Sequence, residues 1–311
     1  MESNIDELPL IMGNHVHKGI RYPNSVLPST IDAMETFEVR PDDIFVNTYP
    51  KSGTHWIMEI IGLILADGYP DKIDRTLWSS CIEMINIGIN KLPKTRAEEL
   101  TNPINMTPFL DVVVKAPSPR VIQTHLRFKL LPTNLLKRAK VVYLARNPKD
   151  VVNSYFNFIG NTRAFDNAPY DKVAEAFMEE QNFRWGSWFD HVMAAWKLRD
   201  EENILFMFYE DMQKEPVKSI EQVAKFLGRP LSEETLQRVL EHSSFKGMSQ
   251  TYRKAAEEAA KSGGIDFTAP SFLKKGTSGQ WKSRFTVTLN ETFDRWYQKK
   301  VKGADIKFDF E

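Results

Sequence analysis

Residues 44–56 have the sequence IFVNTYPKSGTHW. The short apolar, β-branched run at 44–48 predicts a buried strand, and the amphipathic pattern at 54–66 predicts a helix. The loop between them carries Lys51, Ser52 and Gly53. A loop that enters a helix N-terminus presents free backbone N–H groups and the positive end of the helix dipole, so it suits a phosphate-type anion. The segment therefore predicts a strand–loop–helix unit with an anion-binding loop.

The same alternation of strand and helix patterns continues along the chain. Further strands are predicted at 121–124, 140–145 and 203–208. A helix is predicted from Pro148, with Asn147 as its N-cap. Helical patterns follow at 171–200, 216–227 and 232–241, with Gly228 closing the second of them. Apolar strands separated by helices predict an α/β fold with a central parallel β-sheet flanked by helices. We expect an N-terminal arm at 1–40 and a single compact domain at 41–311.

Composition and charge exclude several classes of protein. Lysine plus arginine number 41 and aspartate plus glutamate number 41 in 311 residues, so the formal net charge is zero. That balance argues against bulk binding to nucleic acid or to an anionic membrane. The apolar stretch at 56–66 is too short to span a bilayer. Cys81 stands alone and forms no internal disulfide, so we expect a cytoplasmic location. The sequence has no Cys/His cluster with metal-ligand spacing, so we expect no metal.

Polar residues follow each predicted strand. The second strand ends in Thr124-His125, the third in Arg146 with Ser154 two turns later, and the fourth in Tyr209. Ligands of parallel sheets bind at the carboxyl ends of the strands, so these residues predict one anion site together with Lys51. Taken singly they are ambiguous, because Lys51 could be a solvated loop lysine and Arg146 a surface partner of a carboxylate. The loop is P-loop-like, but its lysine precedes the glycine, unlike the nucleoside-triphosphate motif.

Three segments resemble motifs of the cytosolic sulfotransferases. The segment at 49–56, YPKSGTHW, is similar to the 5′-phosphosulfate loop of that family. The segment at 146–154, RNPKDVVNS, is similar to its 3′-phosphate motif, and 272–282 is similar to its C-terminal nucleotide loop. The resemblance implies a PAPS-dependent sulfotransferase that moves a sulfuryl group from 3′-phosphoadenosine 5′-phosphosulfate (PAPS) to a hydroxyl or amine of a small acceptor, with PAP (adenosine 3′,5′-bisphosphate) as the product.

The resemblance also assigns roles to residues of this chain. It implies His125 as the catalytic base and Lys51 as the group that stabilises the leaving phosphate. Nucleotide-binding roles fall on Lys51, Ser52, Gly53, Thr54, His55, Trp56, Arg146, Ser154, Tyr209, Ser243, Ser244, Phe245, Lys274, Lys275 and Gly276. Phe158 and Gln123 are the expected acceptor-site residues. An apolar pocket with few polar groups favours a phenol, a sterol-like alcohol or another planar hydrophobic acceptor.

Some positions depart from the family pattern. Gln123 replaces a lysine that is often present, and its amide could donate to the sulfuryl oxygens instead. Lys274 replaces an arginine, so the planar fork that grips phosphate is lost there. His55 takes a place usually held by a small polar residue. It also competes with His125 for the role of base, and the remaining histidines are His15, His17, His191 and His242.

One further motif concerns assembly. The residues Lys282, Thr286, Val287 and Glu291 match the short dimerisation motif of the family, which predicts a homodimer.

Other functions stay open from the sequence alone. A P-loop-type small-molecule kinase would instead need Mg²⁺ and a carboxylate at a strand end, where Glu210 and Asp211 are candidates. A catalytically silent nucleotide-binding relative is a further alternative. A last alternative is that the enzyme sulfates its acceptor only as a transient step toward dehydration.

Overall fold

The structure is a computed structural model that describes residues 14–85, 107–159, 169–180, 183–261 and 276–311. Its strands are β1 (Asn14–His17), β2 (Ile20–Pro23), β3 (Ile44–Thr48), β4 (Val121–Thr124), β5 (Lys140–Ala145) and β6 (Ile204–Phe208). The helices of the first half are α1 (Pro28–Ala33), α2 (Thr54–Leu65), α3 (Leu110–Lys115), α4 (Leu135–Arg138) and α5 (Pro148–Ile159). Those of the second half are α6 (Tyr170–Glu179), α7 (Trp188–Trp196), α8 (Tyr209–Lys214), α9 (Pro216–Leu227), α10 (Glu233–Ser243), α11 (Phe245–Lys261) and α12 (Val287–Val301).

The described residues contain a parallel sheet of four strands in the order β4-β3-β5-β6. Ile44 of β3 pairs with Val121 on one side and with Lys140 on the other, and Val141 of β5 pairs with Ile204. This register brings the carboxyl ends of all four strands to one edge of the sheet. The predicted α/β fold with a central parallel sheet flanked by helices is confirmed, and so is the shared edge on which the predicted site depends.

Both faces of the sheet are buried. Phe45, Val141 and Tyr143 belong to one hydrophobic cluster, which also contains residues of α6, α7 and α12. Val46 and Val142 belong to a second cluster with residues of α2, α9 and α10. The alternation of side chains along a strand accounts for this division. In the described part of the chain, helices therefore cover both faces of the sheet, which leaves its edges for ligands.

The helix signals in the sequence are mostly confirmed. The Asn147 side chain accepts a bond from the Asp150 N–H at 2.9 Å, so Asn147 caps α5 as predicted. Gly228 ends α9 in the left-handed conformation, with φ 70°. The helical pattern at 171–200 is divided into α6 and α7, because Trp185 and Gly186 take positive φ values of 72° and 69° between them. The strand expected at 203–208 begins one residue later, at Ile204.

Residues 14–40 pack against the rest of the chain. β1 and β2 form an antiparallel hairpin. Tyr22, Ile31 and Met34 are each 1% exposed and belong to the same hydrophobic cluster as Phe45. The backbone N–H of Trp185 donates to the Arg21 carbonyl at 2.7 Å. These contacts place the hairpin beside the segment that precedes α7, which lies near the site described next.

Candidate active site

The loop between β3 and α2 depends on Gly53. Its φ of 102° lies in the left-handed region, where a side chain is strained. A Cβ at this position would lie 2.6 Å from the Tyr209 ring. Lys51 also has a positive φ, of 72°. Tight packing of the loop against Tyr209 therefore requires glycine at 53.

Two buried polar atoms, one in this loop and one on Arg146 after β5, lack a hydrogen-bond partner among the described residues. The Ser52 side chain is 0% exposed, and its Oγ has no hydrogen-bond partner among the described residues. Arg146 is buried, its Nη1 donates to the Lys51 carbonyl at 3.3 Å, and its Nε likewise lacks a partner among the described residues. The Arg146 guanidinium lies 4.3 Å from the centre of the Tyr209 ring. Since buried donors are normally bonded, these two groups fit an anionic ligand.

His125 has its tautomer fixed by β3. Its Nδ1 lies 2.8 Å from the Thr48 carbonyl oxygen, which can only accept, so Nδ1 carries the proton. The Thr48 hydroxyl lies 3.2 Å from the same Nδ1 and 2.7 Å from the Thr54 hydroxyl. Nε2 is then the ring nitrogen with a lone pair. This tautomer can accept a proton from a hydroxyl group.

Burial, with smaller contributions from His55 and Lys51, lowers the pKa of the His125 imidazole to about 4, although the bond to Thr48 opposes this shift. His125 is therefore neutral at pH 7, which a general base requires. The ammonium of Lys51 lies over the Phe158 ring, 4.2 Å from its centre. The site thus joins a neutral imidazole to a region rich in positive charge.

The main chain of His125 is held on both sides by buried side chains. Glu83 accepts the His125 N–H at 2.9 Å with one carboxylate oxygen and the Thr124 hydroxyl at 2.9 Å with the other. The ring of His191 donates through Nε2 to the His125 carbonyl at 3.1 Å, while its Nδ1 accepts from the Tyr143 hydroxyl at 2.8 Å. Burial raises the pKa of the Glu83 carboxyl to about 7 and lowers that of His191 to about 3.

Aromatic side chains lie beside both His125 and Lys51. Trp185, which the sequence analysis did not identify, packs edge-on against His125 with ring centres 5.3 Å apart. Phe158 is partly exposed at the end of α5. Gln123, by contrast, is 4% exposed and donates its amide hydrogens to the carbonyls of Trp78 at 3.0 Å and Ser80 at 2.8 Å. Because both of its donor hydrogens are used there, the structure does not bring the Gln123 amide to the site.

Further predicted nucleotide residues lie next to Tyr209. The Trp56 indole N–H donates to the Ser243 carbonyl at 3.0 Å, and its ring packs edge-on against Tyr209 with centres 5.2 Å apart. The Tyr209 hydroxyl donates to the Gly276 carbonyl at 2.7 Å. Phe245 begins α11 with 46% of its surface exposed. Trp56, Tyr209, Ser243 and Gly276 therefore form one connected group.

Other predicted residues stand apart from this group or outside the described residues. Ser244 uses its hydroxyl locally, donating to the Glu241 carbonyl at 2.6 Å and accepting the Gly247 N–H at 3.0 Å. Ser154 is half-buried on α5. Lys274 and Lys275 lie outside the residues that the structure describes.

Two side chains anchor the segment after Gly276. Gln213 lies one turn after Tyr209 on α8, and its side-chain amide donates to the Gly276 carbonyl. The amide oxygen of Gln213 accepts the backbone N–H of Ser278 at 2.9 Å and the Ser278 hydroxyl at 2.6 Å. Asp150 accepts the backbone N–H groups of Gly279 at 2.8 Å and Trp281 at 3.1 Å. Both residues therefore position the described part of the predicted C-terminal nucleotide loop, from Gly276 to Trp281.

Within the described residues, no group of three histidine, cysteine or acidic side chains is arranged to hold a metal ion. Glu210, a candidate metal ligand of the kinase alternative, accepts both the N–H and the side-chain amide of Asn147 at 2.9 Å. Among the residues that the structure describes, no helix is long and apolar enough to cross a bilayer.

Comparisons with known proteins agree with this geometry. A family model described as a sulfotransferase domain matches residues 41–305. Mouse Sulfotransferase 1A1 is 37% identical over 285 residues, covering 90% of this chain and 91% of the relative. The crystal structure of mouse sulfotransferase SULT7A1 with PAP has a TM-score of 0.72 and 27% identity over 94% of this chain and 95% of that one.

Retinol dehydratase is a further structural neighbour. Its complex with retinol and PAP has a TM-score of 0.75 and 27% identity, covering 91% of this chain and 89% of that one. Its complex with androsterone and the inactive cofactor PAP has a TM-score of 0.73 and 26% identity, covering 91% and 88%.

Proposed function

The chain belongs to the sulfotransferase family, and we propose that it transfers a sulfuryl group from PAPS to a hydroxyl or amine of a small hydrophobic acceptor. In this proposal His125 is the general base and Lys51 stabilises the leaving phosphate. The observation that carries it is the neutral His125 imidazole, with Nδ1–H on the Thr48 carbonyl, together with the buried Ser52 hydroxyl and Arg146 Nε, which have no partner among the described residues.

The donor site of the proposal uses the buried polar groups around Gly53. PAPS supplies an activated sulfuryl group on a nucleotide phosphate. Ser52 Oγ and the N–H groups at the start of α2 would bind the 5′-phosphosulfate, since a helix N-terminus attracts anions. Arg146 and Ser154 would bind the 3′-phosphate, and Trp56, Tyr209 and the Ser243–Phe245 turn would hold the adenine. The PAP complexes of SULT7A1 and retinol dehydratase support PAPS as the donor.

In this proposal the protein catalyses the transfer mainly by positioning the reactants and by stabilising the charge that develops. Transfer of a sulfuryl group, like that of a phosphoryl group, needs little covalent help from the protein. The acceptor hydroxyl gives its proton to His125 Nε2 as its oxygen bonds to sulfur. The Lys51 ammonium neutralises the negative charge that develops on the phosphate oxygen when the S–O bond breaks. The buried bonds from Glu83 and His191 hold the His125 main chain, so the imidazole keeps one orientation during the reaction.

The acceptor site is proposed to be aromatic. Trp185 packs against His125, and Phe158 lies against the Lys51 ammonium. A flat apolar molecule with one hydroxyl would bind between such rings and present its oxygen to His125. The retinol and androsterone complexes of retinol dehydratase support a hydrophobic alcohol as the acceptor. Mass analysis of the product separates a stable sulfate ester from a dehydrated product.

The test compares two variants by donor affinity and by turnover. We expect His125→Ala to lower kcat by about 10²–10⁴-fold and to leave the Kd for PAP unchanged, because the base acts on the acceptor. Lys51→Ala should weaken PAP binding and lower kcat as well. His242→Ala, at the last turn of α10, is the control and should resemble the wild type in both. Unchanged turnover in His125→Ala would remove this residue from the mechanism.

We also propose a homodimer in the cytoplasm. The motif residues Lys282, Thr286, Val287 and Glu291 are all exposed, and Val287 at the start of α12 has 77% of its surface exposed. All four side chains are therefore accessible to a second copy of the chain, and the match to the family's dimerisation motif carries the proposal. We expect a dimer mass in sedimentation equilibrium and a monomer mass for Val287→Glu. A monomer mass for the wild type would contradict the proposed dimer.

A further inference from the structure

Three buried side chains, Glu210, Asn147 and Asp150, form a hydrogen-bonded network that the proposed chemistry does not use. Each of them is at most 1% exposed. The side-chain amide of Asn147 donates one bond to Glu210 and one to Asp150, both at 2.9 Å. The Asn147 backbone N–H donates to the same Glu210 oxygen at 2.9 Å, and the Asn147 amide oxygen accepts the Asp150 N–H at 2.9 Å. Both polar atoms of the Asn147 side chain are therefore bonded within this network.

One end of the network lies beside Arg146. Asn147 directly follows Arg146 in the chain, and Glu210 directly follows Tyr209. The Tyr209 ring centre is 4.3 Å from the Arg146 guanidinium. Burial raises the pKa of the Glu210 carboxyl to about 7, although the bonds from Asn147 and the charge of Arg146 oppose this shift. Glu210 Oε2 and Arg146 Nε are both buried without a hydrogen-bond partner among the described residues. Glu210 therefore holds the main chain that follows Arg146 and leaves the guanidinium available to an anion.

The other end of the network holds the segment from Gly276 to Trp281. The two carboxylate oxygens of Asp150 accept the backbone N–H groups of Gly279 at 2.8 Å and Trp281 at 3.1 Å, in addition to the bond from Asn147. An asparagine at 150 would have only one accepting oxygen, so its amide N–H would face one of these donors. The position of the segment thus depends on a carboxylate at 150.

The network connects Arg146 to the predicted C-terminal nucleotide loop, of which Gly276 to Trp281 is the described part. We propose that the network acts as one positioning unit, which fixes this loop relative to Arg146 and so sets the preference of the site for a nucleotide with a 3′-phosphate. This inference rests on the proposed function, in which Arg146 binds the 3′-phosphate. Charge-assisted hydrogen bonds to a phosphate depend on distance and direction, so a displaced loop or Arg146 should weaken them.

The experiment compares two nucleotides that differ by one phosphate. PAP is titrated into each protein by calorimetry, and adenosine 5′-monophosphate (AMP), which lacks the 3′-phosphate, is measured by competition with PAP. The Kd for AMP divided by the Kd for PAP gives the selectivity for the 3′-phosphate. We expect Glu210→Ala and Asp150→Asn each to raise the Kd for PAP roughly 10- to 100-fold and to change the Kd for AMP by less than about threefold.

Two further variants separate positioning from a general loss of structure. Glu210→Gln retains an oxygen that can accept from Asn147, so it should recover most of the wild-type selectivity. Asp211→Asn, at the exposed next position of α8, is the control and should have the selectivity of the wild type. If Glu210→Ala and Asp150→Asn lower the free energy of unfolding but keep the wild-type selectivity, the network is only structural and the inference is wrong.

The double variant Glu210→Ala/Asp150→Asn tests whether the network acts as one unit. Its Kd for PAP should be close to that of the weaker single variant, because both changes release the same loop. Effects that multiply would overturn the inference. If Glu210→Ala does not fold, the selectivity of Asp150→Asn decides the question alone, and a wild-type value there would overturn the inference. Wild-type protein that binds PAP no more tightly than AMP would instead contradict the donor site of the proposed function.

Discussion

Ser52→Ala is expected to change stability and donor affinity in opposite directions. The Ser52 side chain is fully buried, and its hydroxyl has no partner among the described residues. A buried unpaired hydroxyl costs about 1–3 kcal/mol, and alanine removes that cost together with a few packing contacts. We therefore expect the free energy of unfolding to rise by about 1 kcal/mol. A hydrogen bond to a charged group contributes about 1.5–3 kcal/mol, so the affinity for PAP should fall roughly 10- to 150-fold.

Ser187 provides a matched control, because it is a buried serine with partners. It is 4% exposed, its hydroxyl donates to Glu180 at 2.8 Å, and it accepts the Asp190 N–H at 3.1 Å as the N-cap of α7. Ser187→Ala should lose about 0.5–2 kcal/mol of stability, the usual cost of a lost N-cap. Its affinity for PAP should remain that of the wild type.

Chemical denaturation with and without PAP, together with calorimetric titration, measures both effects. Ser52→Ala should be at least as stable as the wild type in the absence of PAP and should gain less stability when PAP is added. If Ser52→Ala loses as much stability as Ser187→Ala and binds PAP as tightly as the wild type, the assignment of this hydroxyl to the anion is wrong.

Three further predictions concern the loop, the anchor on α8 and the pH dependence of stability. Gly53→Ala should lose about 1–3 kcal/mol and most of its PAP affinity, as measured by denaturation and titration, because its Cβ would lie 2.6 Å from the Tyr209 ring at a φ of 102°. Gln213→Ala should raise the KM for PAPS and leave kcat nearly unchanged in steady-state kinetics, whereas Lys214→Ala, next along the helix, should change neither. Burial lowers the pKa of His191 to about 3, so the unfolded chain binds one more proton there between that pH and the ordinary value of 6.5. Wild-type stability relative to His191→Gln should therefore fall as the pH falls from 6.5 to 4, by up to about 1.4 kcal/mol per pH unit in denaturation curves, and a constant difference would contradict the neutral buried ring.

Local signals in the sequence predict much of the fold. The strand at 44–48, the helix from Pro148 and the end of α9 at Gly228 follow from short-range preferences, and the structure has all three. The break between α6 and α7 is different, since the apolar periodicity continues across it. Gly186 and the capping Ser187 are its local causes, and the bond from Trp185 N–H to Arg21 fixes it from a distant part of the chain.

The supports of the site depend on contacts between remote residues. Glu83 reaches His125 from 42 positions earlier, and His191 reaches it from 66 positions later. Neither residue belongs to a local motif, so only the folded chain brings them to the base. Gln123 is a residue that the motif predicts in the site but the structure does not place there. It lies two positions before His125, and its amide donates hydrogen bonds to the carbonyls of Trp78 and Ser80. A residue's position in a motif thus predicts the strand on which it lies, but not the hydrogen-bond partners of its side chain.

A single-turnover assay tests the central claim most directly. The wild-type protein is loaded with PAPS that carries radioactive sulfur and is mixed with phenols, sterol-like alcohols and amines. We expect label to move to the hydroxyl or amine of at least one acceptor, with one PAP formed per transfer. His125→Ala should bind PAPS but transfer the label about 10²–10⁴-fold more slowly. Folded protein that binds PAPS but gives label to none of these acceptors, or transfer at the wild-type rate by His125→Ala, would contradict this claim.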